Sequence, residues 1–174
     1  KSLMIKELLA DSGDVILITR PRRWGKSLNM NMLQKFFEIE VDERGKPLPE
    51  EDRVNNKLFT GGTVDLGFDE AKKLKPLKIA SDANSMKRQG QFPVILLNFK
   101  DVKGSSYKEI ELGIKDQIIE LFASHHYLNY HVTENTGLLN NVEKEKLRRY
   151  FDGKLNKNDL KNSLRFLSKL LFKY

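Results

Sequence analysis

The segment DVILITRPRRWGKSLNMNMLQKFF, residues 14–37, constrains the fold of this chain more than any other stretch. Residues 14–19 form a continuous apolar run with β-branched residues, which predicts a buried strand. Beyond the basic turn that follows, apolar residues recur at helical spacing and predict an amphipathic helix. Its predicted apolar face consists of Leu28, Met32, Leu33, Phe36 and Phe37. The segment therefore predicts a strand, a tight turn and a helix.

The turn matches the second half of a phosphate-binding loop. That loop has the pattern G-x-x-x-x-G-K-[ST], with a strand before it and a helix after it. Residues 20–27 read Arg-Pro-Arg-Arg-Trp-Gly-Lys-Ser, so the Gly-Lys-Ser end is intact and Arg20 replaces the leading glycine. Gly-Lys-Ser alone is a weak signal, but the flanking strand and helix favour a nucleotide site. The alternative is a basic structural turn in which Gly25 is a hinge and Ser27 caps the helix.

Each residue of the turn has a task if the turn binds a nucleotide. Gly25 would let the backbone approach the phosphates, within a cradle of N–H groups from about Arg22 to Ser27. Lys26 would bring a positive charge to the terminal phosphates, and the Ser27 hydroxyl would ligate magnesium. Three arginines would add positive potential at the rim: Arg20, Arg22 and Arg23.

Trp24, the single tryptophan of the chain, lies inside this loop. It would either shield the phosphates from water or pack against the edge of the sheet as an anchor, and we favour the anchor. The loss of the leading glycine need not disable the loop, because that position ends the strand and lies further from the phosphates than Gly25 does.

The remaining sequence predicts more helix than strand. Residues 2–9 suit a short helix, and residues 91–102 are predicted to form the second apolar strand. Residues 40–91 begin with a polar stretch rich in glycine and proline, which predicts an irregular excursion with a helical turn at 69–75. Three further helices are expected. The first begins at Ser105 or Ser106, with Glu109 completing a capping box. The second covers residues 143–151 and is ended by Gly153, and the last is capped by Asn156 or Asn158.

The order strand, helix, strand, helix, helix predicts an α/β fold, with a parallel sheet flanked by helices in the manner of P-loop NTPases. Two parallel strands covered by helices do not make a finished domain. We therefore expect residues 1–174 to be the N-terminal portion of one larger P-loop ATPase-like domain.

Composition excludes several classes of protein. The absence of cysteine among 174 residues excludes disulfides and thiolate metal sites. The apolar runs VILI and FPVILL are too short to span a bilayer, so we expect no membrane contact and a cytoplasmic location. The net charge of +7 is compatible with a nucleic-acid or phosphate partner, and equally with an ordinary lysine-rich surface.

Four stretches together resemble the AAA-ATPase-like family: LITRPRRWGKSLNMNMLQKFFE, LF, FPVILLNFKDVK and SLRFLSKLL. The resemblance implies a bacterial P-loop ATPase of the additional-strand class, often fused to a PD-(D/E)XK nuclease-like domain, with ATP and Mg²⁺ as ligands. An arginine in the leading position of the loop is a feature of that family. The resemblance also implies that the Walker B strand follows soon after residue 174, and that residues 60–90 exceed the usual family segment.

Two other groups of residues are candidate sites. Asn98 stands where the magnesium-binding aspartate of a Walker B strand would be, and Asp101 comes three residues late. Residues 94–101 are therefore better interpreted as an interior strand of the sheet. His125, His126 and His131 would need further ligands to hold a metal. A solvated helix end accounts for these histidines better.

The sequence thus predicts an ATP-binding segment in which Lys26 and magnesium would stabilise charge on the transferred phosphoryl group. Little turnover is expected, since the chain shows no acidic partner for the metal and no residue to position water. The alternative is a basic nucleic-acid-binding module in which residues 20–27 are only a turn. A degenerate ATPase kept as an interaction scaffold is a third possibility. The oligomeric state and the process that the ATPase drives stay open.

Overall fold

The computed structural model describes residues 1–19, 21, 23–65, 71–134 and 136–173. These residues fall into two compact units. Unit 1 comprises Lys1–Glu40 with Pro47–Val94, and unit 2 comprises Val41–Lys46 with Ile95–Tyr174. No helix within the described ranges is both long and apolar enough to cross a membrane.

Unit 1 combines short helices with one small sheet. Its helices are α1 (Met4–Ala10), α2 (Lys26–Phe37), α3 (Val54–Thr60) and α4 (Ala83–Met86), and its strands are β1 (Gly62–Val64) and β2 (Lys72–Leu74). Single 3₁₀ turns lie at Glu50–Asp52 and Lys78–Ser81. The predicted helices at 2–9 and after the basic turn are confirmed as α1 and α2.

The core of unit 1 forms around one aromatic side chain. Phe36 on α2 is fully buried and meets the rings of Phe37 and Phe59 edge-on, each with centroids 5.1 Å apart. Ile5 of α1 and Ile79 complete this buried cluster. Because Phe36 lies in the last turn of α2, this packing fixes the helix and the direction in which its N-terminus points.

A carboxylate from outside α3 accepts hydrogen bonds from the backbone N–H groups at the start of that helix. The two oxygens of Glu40 accept hydrogen bonds from the backbone N–H groups of Val54 (3.0 Å) and Asn55 (2.9 Å). These are among the N–H groups that a helix N-terminus leaves without partners, and a negative charge there is favoured by the helix dipole. Residues 40–91, predicted to be irregular, thus contain regular elements with specific caps.

The sheet differs from the predicted one. β1 and β2 pair antiparallel in the register Gly62↔Leu74, Thr63↔Lys73 and Val64↔Lys72. The structure is α/β as expected, but mostly helical, and a parallel sheet is not seen in the described part of the chain. The helical turn predicted at 69–75 is wrong where residues 72–74 form β2, and residues 69 and 70 lie outside the described residues.

The two apolar runs that predicted central strands form no regular secondary structure and are unpaired. No backbone hydrogen bond joins residues 14–19 or residues 93–98 to another described residue, and Val15 is 88% and Leu17 84% exposed. One parallel bridge, Glu38↔Phe92, is all that residues 92–102 contribute to pairing. Neither predicted strand is therefore seen in the described part of the chain, since a strand requires a partner for its backbone groups as well as an apolar sequence.

Unit 2 is built from helices. They are α5 (Tyr107–Ser124), α6 (Tyr130–Thr133), α7 (Asn141–Phe151) and α8 (Lys157–Lys173), with a 3₁₀ turn at His126–Asn129 before α6. The three longer helices confirm the predictions, and the caps predicted at Ser106 and Asn156 are confirmed. Each of these side chains accepts a hydrogen bond from the backbone N–H three residues later, and so does Asn140, where no cap was predicted. The Glu109 carboxylate accepts from the Ser105 N–H, one residue before the cap.

Stacked aromatic rings join the three longer helices of unit 2. The ring of Tyr150 lies 3.9 Å from that of Phe122 and 5.6 Å from that of Phe166. Burial raises the pKa of Tyr150 to about 12, and its hydroxyl donates to the carbonyl of Asp159 at 2.6 Å. The Asp159 carboxylate in turn accepts two hydrogen bonds from Arg149, at 3.1 and 3.0 Å, so α7 and the start of α8 are held together by both apolar and polar contacts.

Glu143 holds the other end of the α7–α8 pair. Its side chain is 7% exposed and lies 2.7 Å from the Lys173 ammonium and 3.1 Å from that of Lys169. Burial disfavours the ionised form, but hydrogen bonds from Lys173, the Asn140 backbone and Lys169 outweigh burial and lower the pKa of Glu143 from 4.5 to about 2. The ionised carboxylate therefore stabilises the folded state.

We expect Glu143→Gln to lower the free energy of unfolding by about 2–3 kcal/mol at pH 7, since one pKa unit corresponds to about 1.4 kcal/mol. A lowered pKa stabilises above the unfolded value of 4.5, and the stabilisation is lost as pH falls towards about 2. Urea unfolding measured from pH 7 down to about pH 3 should therefore show the free energy of unfolding of the parent approaching that of Glu143→Gln as the pH falls. Glu145→Gln, on the exposed side of α7, is the matched control and should change stability little at any pH.

Candidate phosphate-binding loop

The candidate site lies in unit 1, between the extended residues 14–19 and helix α2. The structure describes Pro21 and residues 23–27 of the loop, whereas Arg20 and Arg22 lie outside the described residues. From residue 15 to residue 37 the chain carries five cationic side chains and no carboxylate. The loop is thus a positively charged stretch of chain with no acidic residue adjacent in sequence.

Backbone conformation makes glycine necessary at position 25. Gly25 has φ 75° and ψ 27°, in the left-handed region that side chains disfavour. A Cβ at this position would meet the Lys1 ammonium at 3.5 Å, an ordinary contact, so conformation and not space selects glycine. Arg23 is also left-handed, with φ 67°, although it carries a side chain. Two left-handed residues so close together turn the chain sharply into the helix.

Helix α2 begins directly at the motif lysine. Gly25 is its N-cap, and the carbonyl of Gly25 accepts the first helical hydrogen bond from the Asn29 N–H at 2.9 Å. None of the described side chains caps this N-terminus. The first turn of any helix carries N–H groups without intrahelical partners and a partial positive charge, and both favour an anion. The alternative in which Ser27 caps the helix is wrong, because Ser27 is the second residue of α2.

The two functional side chains of the motif are accessible at this helix start. Lys26 and Ser27 are both exposed and occupy the first two positions of α2. An ammonium and a hydroxyl in adjacent positions supply a charge for phosphate oxygens and an oxygen ligand for a hard cation. Both ligands implied by the sequence, ATP and Mg²⁺, are chemically compatible with these groups.

A family model described as a predicted AAA-ATPase matches residues 1–51. Residues 1–51 are therefore similar to this family. The family resemblance expected from the sequence is confirmed over this stretch, which contains α1, the whole loop and α2. No curated protein and no solved structure matches the chain.

Trp24 does not act as an anchor in this AAA-ATPase-like segment. It is 64% exposed, and its neighbours Leu28 (62%) and Met30 (48%) on the first turns of α2 are exposed as well. The prediction that Leu28 belongs to the buried face of α2 is therefore wrong. The cause is the same as for the unpaired run at 14–19, because no sheet covers this end of the helix among the described residues.

A cavity of about 380 Å³ precedes the loop in unit 1. It lies between α1 and the extended segment, and its volume is within the range of small-molecule sites. Leu8, Leu17 and Ile18 give it an apolar wall, Glu7 and Asp11 contribute carboxylates, and Thr19 is the residue immediately before the loop. The sequence analysis did not identify this cavity, since α1 carried no motif.

The other candidate residues do not assemble into a site. His125 Nδ1 lies 3.0 Å from the Tyr127 hydroxyl, and His131 Nδ1 lies 2.9 Å from the Thr136 hydroxyl. Among the described residues no group of three His, Cys, Asp or Glu side chains could hold a metal ion. Asn98, at the candidate Walker B position, accepts a local hydrogen bond from the Lys100 N–H at 3.0 Å.

We expect quenching of Trp24 fluorescence to reveal both the exposure and the positive charge of the loop. The neutral quencher acrylamide should reach the indole readily, because Trp24 is two-thirds exposed. Iodide, an anion, should quench more strongly still, and Lys26→Ala should reduce iodide quenching but not acrylamide quenching, since it removes an adjacent positive charge. A Trp24 inaccessible to both quenchers would contradict the loop structure.

Proposed function

We propose that residues 20–27 bind the phosphates of Mg-ATP. The observation that carries this proposal is the left-handed Gly25, which starts α2 at Lys26 with a first turn that no described side chain caps. The family match over residues 1–51 includes this loop and supports a nucleotide as the anion. The cavity beside Thr19 provides room for the nucleoside end of the same ligand.

Each residue of the loop has a role in this proposal. Lys26 carries the positive charge for the terminal phosphates, the Ser27 hydroxyl is the protein ligand of magnesium, and Gly25 lets the backbone N–H groups face the phosphates. Bound magnesium would neutralise charge on the transferred phosphoryl group. The remaining binding residues lie at the rim: Arg22, Arg23 and Trp24. An exposed Trp24 favours a shielding role over the anchor role.

The exposed apolar runs support a larger sheet. Val15 and Leu17 are almost fully exposed, a costly arrangement for side chains of this kind. In the proposed complete domain, residues 14–19 form a strand of the parallel P-loop sheet, and residues 1–174 are the N-terminal portion of that domain. Pairing would satisfy the backbone groups and bury these two side chains at once.

Nucleotide binding is proposed to exceed nucleotide turnover in this chain. Hydrolysis needs a group that positions water and an acidic group on the metal side. Residues 15–37 contain no carboxylate, so the loop itself supplies neither. The proposal assigns hydrolysis to the complete ATPase domain, places the protein in the bacterial cytoplasm, and leaves contact with nucleic acid to a linked nuclease-like domain.

A second candidate is a basic nucleic-acid-binding module. The surface that favours it lies on α7 and α8 in unit 2, and not on residues 20–27. The two activities therefore use different residues and can be separated by substitution.

Titration of Mg-ATP, followed by Trp24 fluorescence and by calorimetry, tests the phosphate site. We expect saturable binding that Lys26→Ala weakens at least about tenfold, because a charge-assisted contact to phosphate contributes about 1.5–3 kcal/mol. Lys35→Ala removes the same charge from the last turn of α2, where Lys35 contacts Glu38 at 3.3 Å, and should bind as the parent does. Ser27→Ala should lower the dependence of binding on magnesium.

A glycine pair separates backbone geometry from general stability. Gly137 is left-handed like Gly25, with φ 78°, and has open space around it. Alanine at either position should destabilise the chain by about 1 kcal/mol, but only Gly25→Ala should weaken Mg-ATP binding. Parent-like binding by Lys26→Ala, or no heat and no fluorescence change in the parent, would contradict the proposal.

A further inference from the structure

A second cationic surface lies in the groove between α7 and α8. A cavity of about 300 Å³ opens there, lined by Lys146 of α7 and by Asn162, Arg165, Phe166 and Lys169 of α8. Three of its five lining side chains are cationic and a fourth is an amide that can donate hydrogen bonds. We call these five residues, together with Lys173, the α7–α8 groove.

The carboxylates near the α7–α8 groove are already neutralised. Asp159 is 2% exposed and ion-paired with Arg149 at 3.0 Å. Glu143 is 7% exposed and forms ion pairs with both Lys169 and Lys173. With each carboxylate buried beneath its cationic partners, the charge presented to solvent along the groove is positive.

Two cations of the groove form no ion pair with a described carboxylate. Neither Lys146 nor Arg165 lies within 4.0 Å of one, although Lys146, after Arg149, helps to lower the pKa of the Asp159 carboxyl through its charge. The Lys146 ammonium instead lies 4.5 Å from the centre of the Phe166 ring, and Arg165 is exposed. Like charges held beside one cavity repel each other, and a bound anion would relieve that repulsion.

The cations of α8 also form a row. Lys157, Lys161, Arg165, Lys169 and Lys173 follow one another at four-residue spacing. From Arg165 to Lys173 a helix rises about 12 Å. A nucleic-acid strand carries one phosphate per about 3.4 Å of helix axis, so this length corresponds to roughly three or four phosphates. A row of this length fits a linear polyanion better than a single phosphate.

We propose that the α7–α8 groove binds the sugar-phosphate backbone of nucleic acid. Guanidinium, ammonium and amide donors suit phosphate oxygens. Phe166 is 7% exposed, so it offers no platform for stacking bases, and binding is therefore independent of base sequence. This inference does not rest on the proposed ATP site, because no residue of 20–27 takes part.

Fluorescence anisotropy with a labelled 20-nucleotide single strand of mixed sequence, and with its duplex, tests this inference. The parent chain should bind both at about 50 mM NaCl and lose affinity steeply with added salt. Lys146→Gln with Arg165→Gln should weaken binding at least about tenfold and reduce the salt slope by about 1.4 for the single strand, as expected for the loss of two phosphate contacts. Exposed Arg165→Glu, which leaves the core intact, should weaken binding as well.

The matched control removes the same charge elsewhere in unit 2. Lys108 is exposed on the first turn of α5, and Lys154 contacts the exposed Asp152 at 3.2 Å in the α7–α8 connection. Lys108→Gln with Lys154→Gln should change affinity less than about twofold, and Lys26→Ala should leave it unchanged.

Four outcomes would overturn the inference. They are no binding by the parent at 50 mM NaCl, equal losses in the groove and control variants, a loss confined to Lys26→Ala, and tighter binding to anionic phospholipid vesicles or a phosphorylated peptide than to either oligonucleotide. A failure here would leave Mg-ATP binding untouched, so the two proposals fail separately.

Discussion

An extended apolar segment must find partners for its backbone groups before it can be buried, and this requirement decides the architecture of the described chain. Residues 14–19 have no such partners among the residues that the structure describes, and Val15 and Leu17 face solvent. Packing is carried instead by helices, whose backbone bonds are internal. Each unit has its own aromatic centre, around Phe36 in unit 1 and around Tyr150 in unit 2.

The candidate loop depends on this arrangement at both of its ends. Phe36 fixes the last turn of α2 in the core of unit 1, so the first turn of that helix has a defined direction. Left-handed Gly25 is the N-cap of α2, and no described side chain caps the N–H groups of that first turn. Upstream, the extended run brings Leu17 and Ile18 to a cavity beside α1. The stretch that is similar to the AAA-ATPase-like family therefore includes a helix start, and helix starts favour anions.

Local signals predicted the helices well and the sheet badly. Ser106 and Asn156 are caps whose hydrogen bonds involve residues only three positions away, so a short window of sequence contains the whole interaction. Strand pairing joins residues that are distant in sequence. The apolar pattern of residues 14–19 indicates burial, but it does not identify the segment with which they would pair. The loop motif could be recognised in the sequence because the residues that define it are contiguous. The cationic row on α8 was not predicted, because its significance depends on which carboxylates are buried beside it.

Hydrogen exchange measured by mass spectrometry, with and without Mg-ADP, tests the central claim most directly. It reports on the backbone N–H groups that the phosphates are proposed to contact. The account predicts slower exchange in peptides covering residues 21–30 of the parent chain, and no such change in Lys26→Ala. Unchanged exchange over residues 21–30 at saturating Mg-ADP, or protection confined to α7 and α8, would contradict it.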